Sequence, residues 1–349
     1  MKLIVQIPCL NEEATLAATI RAIPREVAGV GRVEILVVDD GSTDRTSDVA
    51  REAGADYVVR HTHNRGLARA FRTGLDACLK LGADVIVNTD ADNQYDAGAI
   101  PRLIAPVLAG AADIVIGDRQ TREVAHFSVT KRGLQAVGSA VVRRLSGVEV
   151  PDTVSGFRAL SRDAALQMNI VSPFSYTIEM LIQAGSKNLA VTSIPVATNA
   201  PTRPSRLFRN IGHFLTQSGL TMVRMYTMYR PLTTFWYIGV ALVLLGTIPI
   251  ARFLVFWLQG NGSGHVQSLV LGGAFLTIGF VTLLIGLLAD LVNFNRQLIE
   301  VTLEKVRRLE YRAHADAGAE PGVSESVTED AGTHAPWEPQ RGEKRARFQ

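Results

Sequence analysis

Apolar positions in the first 120 residues fall into short unbroken runs separated by stretches with helical spacing. Val, Ile and Leu fill "KLIVQIP", "VEILVVDD", "DYVVR", "DVIVNTD" and "DIVIGDR". Between these runs, apolar residues recur three and four apart over about Glu12 to Ile23, Asp44 to Ala53, Leu67 to Leu81 and Ala99 to Leu108. Strands buried on both faces read as continuous β-branched runs, and their alternation with helices predicts an α/β fold with a mainly parallel sheet. Open sheets of this kind bind ligands beyond the carboxyl ends of their strands. Four polar clusters sit at those ends, "PCLNEE", "DDGSTD", "NTDADNQ" and "GDRQ", and the pattern predicts that they converge on one crevice.

After residue 120 the pattern changes. A helical stretch "KRGLQAVGSAVVRRLSG" is followed by "PDTVSGFRAL", "FSYTIEMLIQA" and a strand-like "AVTSIPV". Leu207, Ile211, Phe214, Leu215, Met222, Met225 and Tyr229 then recur at roughly helical intervals among arginines. This is the pattern of an amphipathic helix in a membrane interface, with a buried core helix as the alternative. Uncharged runs near 232–251 and 269–289 follow, each reaching the ~20 residues that a helix needs to cross a hydrocarbon core. The connector "QGNGSGHVQS" carries no Lys or Arg, whereas Arg224 and Arg230 precede the first run and Arg296, Lys305, Arg307 and Arg308 follow the second. The excess of basic residues on the cytoplasmic side of membrane proteins then places the globular part and both termini in the cytoplasm, in a multi-pass cell-membrane protein. Arg252, late in the first run, is expected to snorkel to the outer interface beside Phe253, Phe256 and Trp257. The organisation expected is a cytosolic domain over 1–202, a juxtamembrane helix over 203–230, spans over 231–258 and 268–294, an external connector over 259–267, and a basic segment with a disordered tail over 295–349.

Composition adds an asymmetry that the net charge of +3 conceals. Between Glu179 and Asp290 there is no acidic residue, while Lys187, Arg203, Arg206, Arg209, Arg224, Arg230 and Arg252 all fall there. Beside two membrane runs, this basic stretch points to anionic lipid headgroups and away from nucleic acid. The N-terminus "MKLIVQIPCLNEE" lacks the apolar stretch of a cleavable signal, and Cys9 and Cys78 alone make no disulfide framework.

Asp90 and Asp92 leave a buried strand one residue apart, so both carboxylates can meet one divalent ion that also bridges phosphate oxygens, with Gln94 as a neutral oxygen donor. Oxygen ligands of this type suit Mg2+ or Mn2+. Taken alone, the same letters also describe a polar turn. Asp39 and Asp40 end another strand, placed to accept bonds from a base or ribose, and Gly41 permits a tight turn after them. Asp44 and Asn11 have the chemistry of helix caps, and Glu12 and Glu13 suit a first helical turn. His61 and His63 do not have the context of a metal pair and read as loop residues.

In order and spacing, "PCLNEEATL", "VVDDGSTDRT", "HNRGLARAFRTGL", "DADNQ", "GDR" and "SGFR" resemble the motif series of glycosyltransferase family 2 over roughly residues 2–200. With "PDTVSGFRALS", "YTIEMLIQA" and two membrane runs following, the chain is most similar to the polyprenyl- or dolichyl-phosphate sugar synthases of that family. The resemblance implies a GT-A fold and a metal-dependent, inverting transfer of one sugar from a nucleotide-diphosphate sugar to a polyprenyl phosphate at the cytosolic face. It places Pro8, Leu10, Glu12, Asp39, Asp40, Asp90, Ala91 and Asp92 on the nucleotide sugar, and Asp90, Asp92 and Gln94 on Mg2+ or Mn2+. Arg119 and Arg132, with Lys131, are placed on the acceptor phosphate, for which an arginine fork is well shaped. Lys131 and Arg132 are equally readable as a solvated helix face. Asp152 is the motif's candidate base or a loop cap, and Arg158 and Glu179 are candidates for organising the site. The Q-x-x-R-W of processive synthases does not occur, which favours single transfer. Alternatives are transfer to another lipid or cell-wall acceptor, and a non-catalytic membrane scaffold; homo-oligomerisation is left open.

Overall fold

A computed structural model describes residues 1–120, 142–144, 146–171, 176–199, 223–224, 226–260 and 262–317. The expected juxtamembrane helix lies largely outside these residues, and Lys131 and Arg132 wholly so. The chain divides into two compact units, Met1–Thr221 together with the chain from Glu304 onward, and Met222–Leu303.

In the first unit, strands β1 (Lys2–Cys9), β2 (Arg32–Asp39), β3 (Tyr57–Arg60), β4 (Val85–Asn88) and β5 (Ile114–Asp118) alternate with helices α1 (Leu16–Ala22), α2 (Thr46–Glu52), α3 (Leu67–Lys80) and α4 (Ile100–Leu108). There follow β6 (Arg158–Ser161), α5 (Arg162–Gln167), α6 (Tyr176–Ser186) and β7 (Val191–Pro195). The strands form one seven-stranded sheet of order β3-β2-β1-β4-β6-β5-β7. All neighbouring pairs are parallel except those of β6, which runs antiparallel between β4 and β5 with Asn88 opposite Arg158. This reversed strand carries a loop, 152–157, to the same end of the sheet at which β1, β2, β4 and β5 finish.

Burial explains the strand signal. Seven of the eight β1 residues are buried, Leu3, Val5 and Ile7 within one apolar cluster with α1 and α4, and Gln6 is the polar exception inside. The two first helices start later than their periodicity suggests. Asn11 turns through a left-handed backbone (φ 54) and its Oδ1 accepts from Thr43 N at 2.9 Å, so it caps no helix and α1 begins at Leu16. Asp44 Oδ1 accepts from Thr46 N at 3.0 Å, and α2 begins there.

The second unit holds α7 (Pro231–Leu258) and most of α8 (Val266–Ala317), with a short 3-10 turn, Gly262–His265, between them. Both helices contain windows of mean hydropathy 2.2 and 2.3, of which only 11% is buried, so neither is the core helix of a globular domain. They pack through glycines spaced by sevens. A Cβ on Gly246 would stand 2.9 Å from Gly272 O, one on Gly279 2.9 Å from Val243 N, and one on Gly239 2.7 Å from Leu283. Such contacts bring helix backbones together where lipid removes the hydrophobic drive. α8 does not stop near residue 294 but stays helical to Ala317. Its last turns belong to the first unit, where Arg307 Nη1 donates to Asn169 Oδ1 at 3.1 Å, Arg308 pairs with Asp163 at 2.8 Å, and Tyr311 is buried.

The turn after β2 depends on Gly41, which has φ 77 and faces the chain at His63 and Asn64. A Cβ there would lie 2.4 Å from His63 C, a backbone atom with no freedom to swing aside. Combining left-handed strain with this overlap, Gly41→Ala is expected to destabilise the first unit by about 3 kcal/mol. A thermal melt of the purified chain should then fall by roughly 6–12 °C; an unchanged midpoint would contradict the tight-turn account.

Candidate active site

The loops after β1 and β2 are laced together. Asn11 N donates to Ser42 Oγ at 2.9 Å, Glu12 N to Thr46 Oγ1 at 2.8 Å, and Arg45 N to Glu13 Oε2 at 3.0 Å. Pro8 is buried in β1, Leu10 is half-buried just beyond it, and Glu12 accepts from Thr15 Oγ1 at 2.9 Å. The acids of "DDGSTD" are placed differently from the expectation that they offer free acceptors to a nucleotide. Asp39 is 0% exposed and accepts from Ser42 N at 2.8 Å and from Ser47 Oγ. Asp40, 3% exposed, accepts from Arg65 N at 2.9 Å and Gly66 N at 2.8 Å, and lies 2.6 Å from His61 Nδ1. Both carboxylates bind backbone amides of the turns beside them, so they hold these loops at the end of the sheet. His61 is part of the same staple, with Nε2 at 3.0 Å from Thr73 Oγ1.

Asp90 and Asp92 follow β4. Ala91 O accepts from Thr19 Oγ1 at 3.1 Å, fixing the residue between them to α1, and Asp92 Oδ1 accepts from Gln94 N at 3.1 Å. Gln94 thus enters first as a backbone donor, and Asn93 takes φ 55 to make the bend. Behind Asp90 lies a buried polar ladder. Gln6 Nε2 donates to Asn88 Oδ1 at 2.9 Å, and Asn88 Nδ2 donates to Gly156 O at 2.8 Å and to the Tyr176 hydroxyl at 3.1 Å. Burial, then the neighbouring charge of Asp92, pushes the Asp90 carboxyl up to about 6.

The end of β5 and the loop before β6 meet in an ion pair. Arg119 Nε donates to Asp152 Oδ2 at 2.7 Å and Nη2 to Oδ1 at 3.1 Å, while Ser155 N donates to Oδ1 at 3.1 Å. Burial opposes ionisation of Asp152, yet the Arg119 bonds and charge hold it below the usual carboxylate range. A general base needs an accessible lone pair and a proton affinity near neutrality. Asp152, 1% exposed and engaged on both oxygens, has neither, and the structure assigns it to positioning Arg119 in place of the expected base. Arg119 stays charged: burial works against it, but Tyr95, Asp152 and Asp90 outweigh that. Arg158 is fully buried and donates to Ser155 O at 2.8 Å, Thr177 O at 2.9 Å and Thr153 O at 2.9 Å, tying the loop to α6. Glu179, on α6, accepts from Val171 N at 3.0 Å.

No individual role was expected of Asn88, Tyr95, Gly156 and Tyr176, although Gly156 lies in "SGFR" and Tyr176 opens "YTIEMLIQA"; they form the wall beside Asp90. The Tyr95 hydroxyl accepts from Gly156 N at 3.0 Å, and its ring stacks on Phe157 at 5.1 Å. The one signal available in the letters was a polar residue, Asn88, within an otherwise apolar strand.

Comparison with known proteins agrees with this arrangement. The glycosyl transferase family 2 model matches residues 4–167. The hexosyltransferase Agl6 of low-salt glycan biosynthesis in Haloferax volcanii is 30% identical over 81% of this chain and 67% of its own length. The chain belongs to glycosyl transferase family 2. The undecaprenyl-phosphate mannosyltransferase of Micrococcus luteus is 27% identical over 56% of this chain and 83% of its own. Among solved structures, glucosyl-3-phosphoglycerate synthase from Mycobacterium tuberculosis, in complex with Mn2+, UDP-glucose and phosphoglyceric acid, superposes with a TM-score of 0.51. It is 26% identical and covers 64% of this chain and 79% of that one. The fold is therefore GT-A, and the chain is a family 2 glycosyltransferase.

The donor set suits a hard divalent cation that shares its shell with a substrate. Among the described residues no third His, Cys, Asp or Glu joins Asp90 and Asp92 in a metal cluster, so a protein cage is absent and phosphate oxygens or water would complete the coordination. A proton on Asp90 competes with such an ion below about pH 6. Without metal, the raised carboxyl means that the folded state binds more protons than the unfolded between its ordinary value and 6, so this group removes stability as pH rises through that window. Added Mn2+ with a nucleoside diphosphate is expected to raise the melting midpoint more at pH 7.5 than at pH 5.5, and Asp90→Asn to abolish that difference. An equal gain at both pH values would contradict the placement.

Proposed function

We propose that this glycosyltransferase moves a single sugar from a nucleotide-diphosphate sugar to a polyprenyl phosphate, with inversion, at the cytosolic face of a membrane. The observation that carries the reading is that two aspartates and one arginine lie at the same end of the sheet, after β4 and β5, the two strands that flank β6. Asp90 and Asp92 suit the metal-bound diphosphate, with Gln94 as a further contact, and Arg119 is electrostatically coupled to Asp90. The acceptor class is supported by the undecaprenyl-phosphate relative and by two helices long and apolar enough to cross a bilayer. In this reading the spans are 231–258 and 268–294, the catalytic domain and both termini are cytoplasmic, and the segment 203–230 lies at the headgroup.

A phosphomonoester has lost most of its second proton at neutral pH, with a pKa near ~6, and is already a nucleophile. One of its oxygens bonds to the anomeric carbon as the bond from that carbon to the diphosphate oxygen breaks; nucleoside diphosphate departs and no proton need be abstracted. This fits an Asp152 that is closed to substrate. Arg119 Nη1 donates to no acceptor among the described residues, so the guanidinium can hold Asp152 with one edge and present the other to the acceptor phosphate. Lys131 and Arg132 would add charge to the same phosphate. Pro8, Leu10 and Glu12 would line the nucleotide, with Asp39 and Asp40 supporting its loop. Mg2+ or Mn2+, when bound, neutralises charge on the diphosphate leaving group.

Incubating the purified chain with labelled nucleotide sugars, polyprenyl phosphate and Mg2+ or Mn2+ should give a lipid-extractable labelled product with one donor. No lipid-linked product with any donor would sink the reading. Asp92→Asn should lower turnover by at least about a hundredfold while the chain still folds; near-normal turnover would remove Asp92 from the site. Arg119→Ala/Asp152→Asn, which leaves no unpaired buried charge, should raise the acceptor KM more than the donor KM. Equal changes in both would count against the acceptor role.

A further inference from the structure

A side chain on Gly156 would have to stand where the Asp90 carboxylate already is. A Cβ built on Gly156 would lie 2.7 Å from Asp90 Oδ1, 2.8 Å from Oδ2 and 3.0 Å from the Tyr176 hydroxyl. The glycine is not required by its backbone, since Gly156 is absent from the positive-φ glycines that include Gly41, Gly54 and Gly66. What selects it is space.

The backbone at this position is also held on both sides. Its N–H donates to the Tyr95 hydroxyl at 3.0 Å, and its carbonyl accepts from Asn88 Nδ2 at 2.8 Å. Asn88 is held in turn by Gln6 at 2.9 Å, deep within the sheet, and Tyr176 is braced by stacking on Phe71 at 4.1 Å. Next along the chain, Arg158 fastens Ser155 O and Thr153 O. The loop therefore cannot step back from Asp90 without breaking several buried bonds. When a methyl group is added, the part that yields is the mobile end of the Asp90 side chain.

We infer that Gly156 is a positioning residue for Asp90: its bare Cα and its anchored carbonyl set where the carboxylate stands, and through it the geometry offered to the divalent ion. This rests on the reading of Asp90 and Asp92 as metal ligands. Mg2+ demands near-ideal octahedral geometry at about 2.0–2.1 Å. A carboxylate moved by several tenths of an ångström is then a poor Mg2+ ligand, and Mn2+ serves as the more forgiving probe.

The test measures metal binding directly, by following free Mn2+ in electron paramagnetic resonance as it is titrated into the full chain with saturating UDP or GDP, and then by Mg2+ competition. Gly156→Ala is expected to melt close to the wild type without metal, to bind Mn2+ at least about tenfold more weakly, and to lose more affinity for Mg2+ than for Mn2+; support residues of metal ligands typically matter by 10–100-fold. Asn88→Ser, which releases the Gly156 carbonyl, is expected to weaken Mn2+ binding by a smaller factor. Binding within twofold of wild type by Gly156→Ala, with an unchanged ratio of Mg2+ to Mn2+ affinity, would overturn the inference. If Gly156→Ala does not fold, Asn88→Ser decides by the same titration, wild-type affinity overturning the inference and weakened affinity supporting it. A wild-type chain that binds no Mn2+ would overturn the metal reading itself, and is distinguished by failing before any variant is compared.

Discussion

Negative charge gathered at one end of the sheet is the constraint to which the rest of this domain responds. Asp39, Asp40, Asp90 and Asp152 all lie at or near strand ends, and repulsion among them would open the crevice if each were left free. The fold answers with backbone amides and with arginines, Arg60 lying 3.7 Å from Asp39. Asp39 and Asp40 are neutralised locally by the turns that they close, and Asp152 by a two-bond pair with Arg119. Removing one member of such a buried pair costs about 3–5 kcal/mol, because the other is left charged without a partner. Asp90 differs: burial and Asp92 raise its proton affinity, the charges of Arg119 and Arg158 lower it only in part, and among the described residues no cation forms an ion pair with it.

This division of labour separates acids that build the site from acids that serve it. Arg119 belongs to both groups, since the same guanidinium closes the 152–157 loop and faces the strand ends. Arg158 is its structural counterpart, buried and bonded to the carbonyls of Thr153, Ser155 and Thr177 and to the Met180 sulfur, and it keeps that loop fixed to α6. The described walls of the site are thus held by buried hydrogen bonds and an ion pair.

Much of this was legible in the letters, for a physical reason. Short Val-rich runs such as "VEILVVDD", bounded by turn residues, have the length and β-branched content of strands buried on both faces, and the polar residues at their ends put Asp90, Asp92 and Arg119 at one end of the sheet. The two long apolar helices were equally plain, because each is an uncharged run of the length that a bilayer requires. Three things were not legible. The direction of β6 depends on pairing between residues some 70 apart, Asn88 with Arg158, which local spacing does not encode. The occupied state of Asp39, Asp40 and Asp152 depends on donors from distant loops, so motif letters alone made them look available. The continuation of α8 to Ala317 was hidden because its exposed, charged turns look like a tail until Arg307 and Tyr311 are seen packed on the domain.

The central claim is that Asp90 and Asp92 form the diphosphate-bound metal site of a family 2 glycosyltransferase. A structure of the full chain with Mn2+ and UDP or GDP, with the ion located by its anomalous signal, tests it most directly. The account predicts one ion within about 2.5 Å of an oxygen from both aspartates, with the diphosphate completing its shell and Asp152 still paired to Arg119. An ion touching neither aspartate, or a diphosphate held away from the end of β4, would contradict it.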